Sequence, residues 1–246
     1  MKPRFFKGSS TAAKLANRRR GVQDRGRSMS RHDIQLWAWS LDEEPLGGET
    51  LLTDEERDRA QRFVGPLLQR RFVAARAQLR ALLGHHLGRD PRSLVFLLNE
   101  FGKPRLADHP GVHFSLSHSQ DRALLAVSDG PEIGADLEMM RAVDHLDLAR
   151  RYFHPEEVGA IERHRDPRQA FFRIWTLKEA VVKAIGLGLA LPLDGFAVSI
   201  DGPRPVMAVA PPESPDAWWL HLEPGDYCRA VAVPGGGELG LIQRNV

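Results

Sequence analysis

The sequence predicts an α+β fold made of two similar halves, a pseudo-two-fold pair of α/β units with the active site in the cleft between them. One observation is a helical motif in which Arg76 and Arg80 match Glu179 and Lys183, each 103 positions later. The other is a strand motif, LLAVS at 124–128, which resembles AVAVP 106 positions later. Two elements that recur at nearly one offset indicate an internal duplication. The halves are expected at 31–130 and 131–246.

The amino-acid composition is typical of a globular protein. The chain has 246 residues, of which 42% are hydrophobic and 27% charged, as in an ordinary globular protein. The single cysteine, Cys228, excludes an internal disulfide and a multi-cysteine zinc site, so a cytoplasmic location is expected. No run of about 18 apolar residues is present, so no membrane partner is expected.

The net charge of +2 conceals a strongly basic head, because residues 1–30 hold nine Lys or Arg and the single acid Asp24. Their lack of apolar periodicity predicts a disordered N-terminal extension. A transit peptide, an arm that binds nucleic acid and an assigned start that precedes the true one are three explanations. We favour the third, with Met29 as the start, and expect residues 1–30 to be dispensable for folding and activity.

The first half begins with an alternating strand at 34–42, and Thr53 with Glu56 forms a capping-box pattern that opens a helix. A second helix is expected at about 68–84. Its Arg76 and Arg80 are one turn apart; such a pair is usually solvated, but it also suits a phosphate. Strands are then expected within 94–106, at 113–120 and at 123–128.

The second half carries the acidic residues. In the alternating strand 131–138, Asp136 and Glu138 share one face, where two carboxylates repel each other unless a cation lies between them. The stretch 171–189 predicts a helix that Gly186 and Gly188 end. This helix aligns Trp175, Glu179 and Lys183 in one row, so Glu179 could be a third carboxylate. Oxygen ligands of this kind suit Mg²⁺. The alternatives are a solvated strand face and a surface Glu–Lys pair. Because most candidate anion-binding residues lie in the first half, a Mg²⁺–polyphosphate ligand in the cleft is expected.

Four motifs resemble, in order and spacing, those of the Sfp-type 4′-phosphopantetheinyl transferases. They are GKPRL (102–106), FSLSHS (114–119), IGADLE (133–138) and WTLKEAVVKAIGLGL (175–189), and the likeness extends from about residue 34 to residue 245. The resemblance implies two α/β halves that bind coenzyme A and Mg²⁺ at their junction. It also implies transfer of phosphopantetheine to a serine of a carrier protein, with release of 3′,5′-ADP.

The resemblance also implies roles for individual residues. Glu179, as metal ligand or base, and Lys183, beside the leaving phosphate, are the expected catalytic residues. The expected metal ligands are Asp136, Glu138 and Glu179. The expected coenzyme A-binding residues are Arg76, Arg80, Lys103, Arg105, Ser117, His118, Lys178 and Lys183.

The expected partner is an acidic, helical apo carrier protein or carrier domain of a fatty acid, polyketide or nonribosomal peptide synthase. The enzyme is expected to be a monomer. Two alternatives stay open at this point: a Mg²⁺-dependent hydrolase of coenzyme A or a related nucleotide, and a nucleic-acid binder that uses the basic head. The acidic body of the chain opposes the second.

Overall fold

The computed structural model describes residues 33–43, 47–237 and 239–246, so the predicted extension 1–30 lies outside the described residues. In the first half the elements are β1 (Ile34–Ser40), α1 (Asp54–Gln61), α2 (Pro66–Leu87), β2 (Phe96–Leu98), β3 (Pro104–Leu106), β4 (His113–Ser119) and β5 (Arg122–Ser128). In the second they are β6 (Gly134–Met139), α3 (His145–Tyr152), α4 (Pro155–Arg163), α5 (Pro167–Ile185), β7 (Ala197–Ser199), β8 (Val206–Val209), β9 (Trp218–Glu223), β10 (Tyr227–Pro234) and β11 (Leu241–Arg244). Among these described elements, no helix combines the length and the apolar character that crossing a bilayer requires.

The predicted duplication is confirmed by the sheet topology. One sheet contains the strand order β1-β5-β4 and the other has the order β6-β10-β9, so in each set of three the strand that comes last along the chain lies in the centre. Each half also has one long helix, α2 or α5, and one small hairpin, β2–β3 or β7–β8. A buried cluster that includes Ile34, Leu124, Ile133 and Val231 joins the two sheets. The halves therefore share apolar core at their junction.

The C-terminal strand β11 joins the sheet of the first half, although the sequence places residues 131–246 in the second half. β11 pairs in parallel with β1, with Ile34 opposite Leu241, and extends the sheet of the first half. Parallel neighbours need a long connection, and here that connection is the entire intervening chain. Residues 241–244 thus belong structurally to the first half.

Helix α5 is the element that carries the predicted catalytic row. It begins four residues before the predicted start, because Asp166 caps it by accepting a hydrogen bond from the backbone N–H of Gln169 and Pro167 suits the first turn. It ends, as predicted, at Gly186, whose φ of 80° lies in the left-handed region. Its apolar face is buried, with Leu177 and Val181 fully inaccessible. The row of Trp175, Glu179 and Lys183 is therefore held on a rigid support.

Three alternate serines of β4 connect the halves. Ser115 accepts a hydrogen bond from the backbone N–H of Ala135 at 2.9 Å, and Ser119 accepts one from Met139 at 3.2 Å. On the other side of β6, Gly134 lies so close to α5 that a Cβ would overlap the carbonyl oxygen of Ala180. Strand β6 is thus fixed between β4 and α5, which places its acidic residues at the junction.

Candidate active site

Asp136 lies at the centre of the junction. Its Oδ1 accepts hydrogen bonds from the Ser117 hydroxyl at 2.8 Å and from Lys183 Nζ at 2.6 Å. Lys183 Nζ also donates to Ser117 Oγ at 2.8 Å. The structure therefore brings together three predicted site residues, one each from β4, β6 and α5.

Glu138 lies two residues further along the same face of β6. Its Oε2 accepts a hydrogen bond from the Ser119 hydroxyl at 3.1 Å. Burial raises the pKa of Glu138, and the nearby charge of Asp136 raises it further. The predicted repulsion between the two carboxylates is thus present in the folded protein.

Glu179, one turn before Lys183 on α5, completes the acidic group. Burial raises its pKa, the charge of Asp136 raises it further, and Lys183 opposes both effects. Glu179 and Lys183 both line a cavity of about 910 Å³. A half-buried carboxyl with a raised pKa beside a cavity is suited to accept a proton.

The cavity combines apolar and charged walls. Trp175, Leu116 and Leu189 contribute apolar surface, and Lys103 and Arg151 contribute positive charge. Trp175 is supported by Phe171, with ring centroids 5.7 Å apart. The cavity can therefore accept a ligand with a long, weakly polar arm and an anionic end.

The acidic group of Asp136, Glu138 and Glu179 suits a divalent cation by its chemistry. Asp136 Oδ2 is buried and has no hydrogen-bond partner among the described residues, so this oxygen is a candidate ligand atom. The candidate ligand atoms are all carboxylate oxygens, which Mg²⁺ prefers. Within the described ranges, however, no three acidic or histidine side chains already form a metal-holding cluster. The residues fit the cation by chemistry, and the shared three-carboxylate ligation stays a prediction.

The remaining predicted coenzyme A-binding residues of the first half differ in their surroundings. Lys103 Nζ donates to Glu132 Oε2 at 2.5 Å and to the carbonyl oxygen of Ala184 at 2.7 Å, next to the end of α5. Arg105 is exposed on β3. His118 is exposed on β4, yet partial shielding from water and then the charge of Lys183 lower its pKa. The predicted coenzyme A-binding roles of these residues and of Ser117 stay predictions.

The predicted phosphate-binding role of Arg80 and Arg76 does not fit their surroundings. Arg80 is 2% exposed; its guanidinium donates to Glu56 and to the carbonyl oxygens of Pro91 and Leu94. Arg76 donates to Glu56 at 2.5 Å and lies 4.4 Å from the ring centroid of Phe96. Both arginines compensate the buried Glu56 carboxylate and thereby stabilise the first half. The predicted role of Arg76 and Arg80 in binding coenzyme A does not fit these contacts.

Lys178 is likewise a structural residue. It is fully buried, and its Nζ donates to both carboxylate oxygens of Glu157, at 2.9 and 2.7 Å, and to the carbonyl oxygen of Phe196 at 2.6 Å. These three acceptors use all three ammonium hydrogens. The predicted role of Lys178 in binding coenzyme A does not fit these contacts.

Sequence reasoning missed Ser119, Glu56 and Glu157 as functional or supporting residues. Ser119 continues the alternation of Ser115 and Ser117, and this period of two indicates that all three hydroxyls share a strand face. Lys178 follows Ile174 by four residues and precedes Val181 by three, which places it on the apolar face of α5. That spacing was a usable signal of burial.

Comparison with known proteins identifies the family to which this chain is similar. A family model described as the 4′-phosphopantetheinyl transferase superfamily matches residues 132–232. The 4′-phosphopantetheinyl transferase HetI of Nostoc sp. is 39% identical over 216 residues, covering 83% of this chain and 89% of the relative. The 4′-phosphopantetheinyl transferase Sfp of Bacillus subtilis is 33% identical over 163 residues, covering 61% and 72%. The crystal structure of holo-[acyl-carrier-protein] synthase from Thermotoga maritima overlaps 42% of this chain and 62% of that chain, with 21% identity and a TM-score of 0.39.

The fold is therefore an α+β pair of similar halves with an acidic–basic centre at their junction, where Ser117, Asp136 and Lys183 are in contact. The chain belongs to the 4′-phosphopantetheinyl transferase superfamily, and to its Sfp-type members, as the four motifs predict. The hydrolase alternative has no support among these relatives.

Removing the charge of Glu138 should stabilise the metal-free protein. A raised folded-state pKa means that the carboxyl favours folding below its unfolded pKa, about 4.3, and loses this contribution as pH rises through the folded pKa. We expect Glu138→Gln to raise Tm at pH 7 by about 2–4 °C, the shift that 1 kcal/mol gives in a chain of this size. The gain should disappear near pH 4. Thermal unfolding with a chelator measures both, with the exposed Glu100→Gln as control. A lower Tm of Glu138→Gln at pH 7 would contradict the repulsion.

Proposed function

We propose that this protein transfers the 4′-phosphopantetheine moiety of coenzyme A to a serine hydroxyl of an apo carrier protein and releases 3′,5′-ADP. The observation that carries the proposal is the Ser117–Asp136–Lys183 cluster beside Glu179 at the wall of the 910 Å³ cavity. The reaction needs a proton acceptor, a cation for the leaving phosphate and room for a long arm. This junction offers all three.

Coenzyme A matches the two kinds of wall in the cavity. Its pantetheine arm fits the apolar side near Trp175 and Leu189, and its phosphates fit the positive side near Lys103 and Lys183. Arg105, Ser117 and His118 are the further candidates for contacts with its anionic end. Arg76, Arg80 and Lys178 are not, because buried carboxylates already engage them.

Mg²⁺ would be held by Asp136, chiefly through its unpartnered Oδ2, with Glu138 and Glu179 as the other candidate ligands. Bound there, it would neutralise charge on the pyrophosphate. The chain's own residues supply the rest of the chemistry. Glu179 accepts the proton of the carrier serine as the new P–O bond forms. Lys183 donates a hydrogen bond to the leaving phosphate as the pyrophosphate P–O bond breaks.

The proposed partner is a carrier protein or carrier domain of a fatty acid, polyketide or nonribosomal peptide synthase. Arg151 and Tyr152 lie at the end of α3 on the wall of the cavity, where an acidic carrier helix would approach. The monomeric state and the cytoplasmic location stay predictions.

The deciding experiment is mass spectrometry of apo carrier proteins incubated with coenzyme A, Mg²⁺ and this protein. We expect the carrier to gain one phosphopantetheine and 3′,5′-ADP to appear in equal amount. A carrier with its acceptor serine changed to alanine should gain nothing. Cleavage of coenzyme A without any gain of carrier mass would instead support the hydrolase.

A further inference from the structure

Lys183 already neutralises the carboxylate that the proposed metal needs. Its Nζ is 2.6 Å from Asp136 Oδ1, and the Asp136 side chain is only 5% exposed. A buried carboxylate is costly unless a cation accompanies it, and here the ammonium group is that cation. Lys183 therefore contributes directly to the charge balance of the acidic centre.

The same ammonium group can also pair with an anion in the cavity. Lys183 lines the cavity, and its side chain is 31% exposed, so Nζ can turn from Asp136 toward an anion in the cavity. Its backbone is fixed meanwhile, because the neighbours Val182 and Ala184 are buried. The side chain can thus exchange between two partners while α5 stays in place.

We propose that Lys183 is an internal competitor of the divalent cation at Asp136, and that the phosphates of the substrate relieve this competition. The inference rests on the proposed function and adds a regulation of the same site. While Lys183 is bound to Asp136 and Ser117, a metal ion meets a carboxylate that is already neutralised. When an anionic ligand attracts Nζ, the ammonium group no longer compensates the negative charge of Asp136. Asp136 then binds the metal more tightly.

The coupling does not depend on which oxygen the metal takes. If the ion binds Oδ1, it replaces the ammonium; if it binds the unpartnered Oδ2, two cations share one carboxylate and repel each other. In both cases Lys183 weakens metal binding in the absence of substrate. By linkage, bound metal must then favour the binding of the anionic ligand by the same factor. Metal and substrate would accordingly be acquired together.

The test measures Mn²⁺ affinity by calorimetry on the full-length protein without coenzyme A. We expect Lys183→Met to bind Mn²⁺ about 10-fold more tightly than the wild type, within the range usual for coupled sites. Lys183→Arg keeps the charge and should bind as weakly as the wild type. Arg150→Met is the matched control, because it removes a positive charge that pairs with the exposed Glu162 rather than with the acidic centre. Its Mn²⁺ affinity should not change.

Equal or weaker Mn²⁺ binding by Lys183→Met would overturn the proposal, provided that thermal unfolding shows the variant to be folded. If it is not folded, Lys183→Gln replaces it, because an amide can keep the hydrogen bond to Asp136 without the charge. Coenzyme A should also increase Mn²⁺ affinity less in the neutral variant than in the wild type. If the wild type modifies the carrier but binds Mn²⁺ as tightly as Lys183→Met does, only this inference is refuted. If Lys183→Met binds Mn²⁺ more tightly but the wild type does not modify the carrier, only the proposed function is refuted.

Discussion

At saturating Mg²⁺, Glu179→Gln is expected to lower kcat by about 10²–10⁴-fold, the loss typical of a removed general base. The substitution keeps the shape of the side chain and removes its ability to accept a proton. Glu179 suits that role because it lines the cavity and because burial, followed by the charge of Asp136, raises its pKa. Coenzyme A should still bind with nearly normal affinity, since Glu179 carries no positive charge for its phosphates. A Mg²⁺ titration of kcat, paired with calorimetry for coenzyme A, measures both quantities.

Asp136→Asn is the comparison that separates proton transfer from metal binding. This variant should need more Mg²⁺, and excess metal should recover part of its rate, because its carboxylate is a proposed ligand. Full recovery of Glu179→Gln by Mg²⁺ would make Glu179 a ligand only and assign the base to water or another residue. If neither variant changes its Mg²⁺ dependence, the interpretation of the acidic group as a metal site is wrong.

Lys178→Met should destabilise the protein by about 3–5 kcal/mol, the usual cost of leaving a buried charge without its partner. Glu157 is 1% exposed and would keep only backbone donors, including Val198 at 2.9 Å. Burial already raises the pKa of Glu157 and lowers that of Lys178, so each charge depends on the other. At about 2–4 °C per kcal/mol, the fall in Tm should be roughly 6–20 °C. Thermal unfolding by circular dichroism measures it.

Arg150→Met provides the matched control, because it breaks an ion pair with Glu162 in which both side chains are exposed. Exposed pairs contribute about 0–1 kcal/mol, so its Tm should change little. The double variant Lys178→Met/Glu157→Leu removes both charges and should recover most of the stability. Once folded, it should bind coenzyme A normally. Weak coenzyme A binding by this double variant would restore the sequence prediction for Lys178.

Local elements were predictable because their signals are local. Thr53 and Glu56 form the predicted capping box, with the Thr53 backbone N–H donating to Glu56 at 3.0 Å. Gly186 ends α5 because its backbone adopts a positive φ. The shared face of Asp136 and Glu138 follows from the period of two in a strand. Even the duplication was visible, since both copies keep the order of their elements.

The charged residues of the helices were less predictable, because their partners come from other elements. Arg80 and Arg76 meet Glu56 of α1, which lies 24 and 20 residues earlier, and Lys178 meets Glu157, 21 residues earlier. Family motifs could not resolve this, since they mark which residues are present without showing which of them are buried. A basic residue near a motif can bind an anionic ligand only if no carboxylate of the protein already pairs with its charge.

The sequence by itself determined the two-half α+β architecture, the family, and the placement of Asp136, Glu138, Glu179 and Lys183 on particular faces of β6 and α5. These properties depend on periodicity, capping and motif order, which can all be read from the amino-acid sequence. Only the tertiary structure decided how the charges pair. It paired Lys183 with Asp136, Arg80 with Glu56 and Lys178 with Glu157, because charge compensation in a folded protein depends on distance in space rather than on distance along the chain.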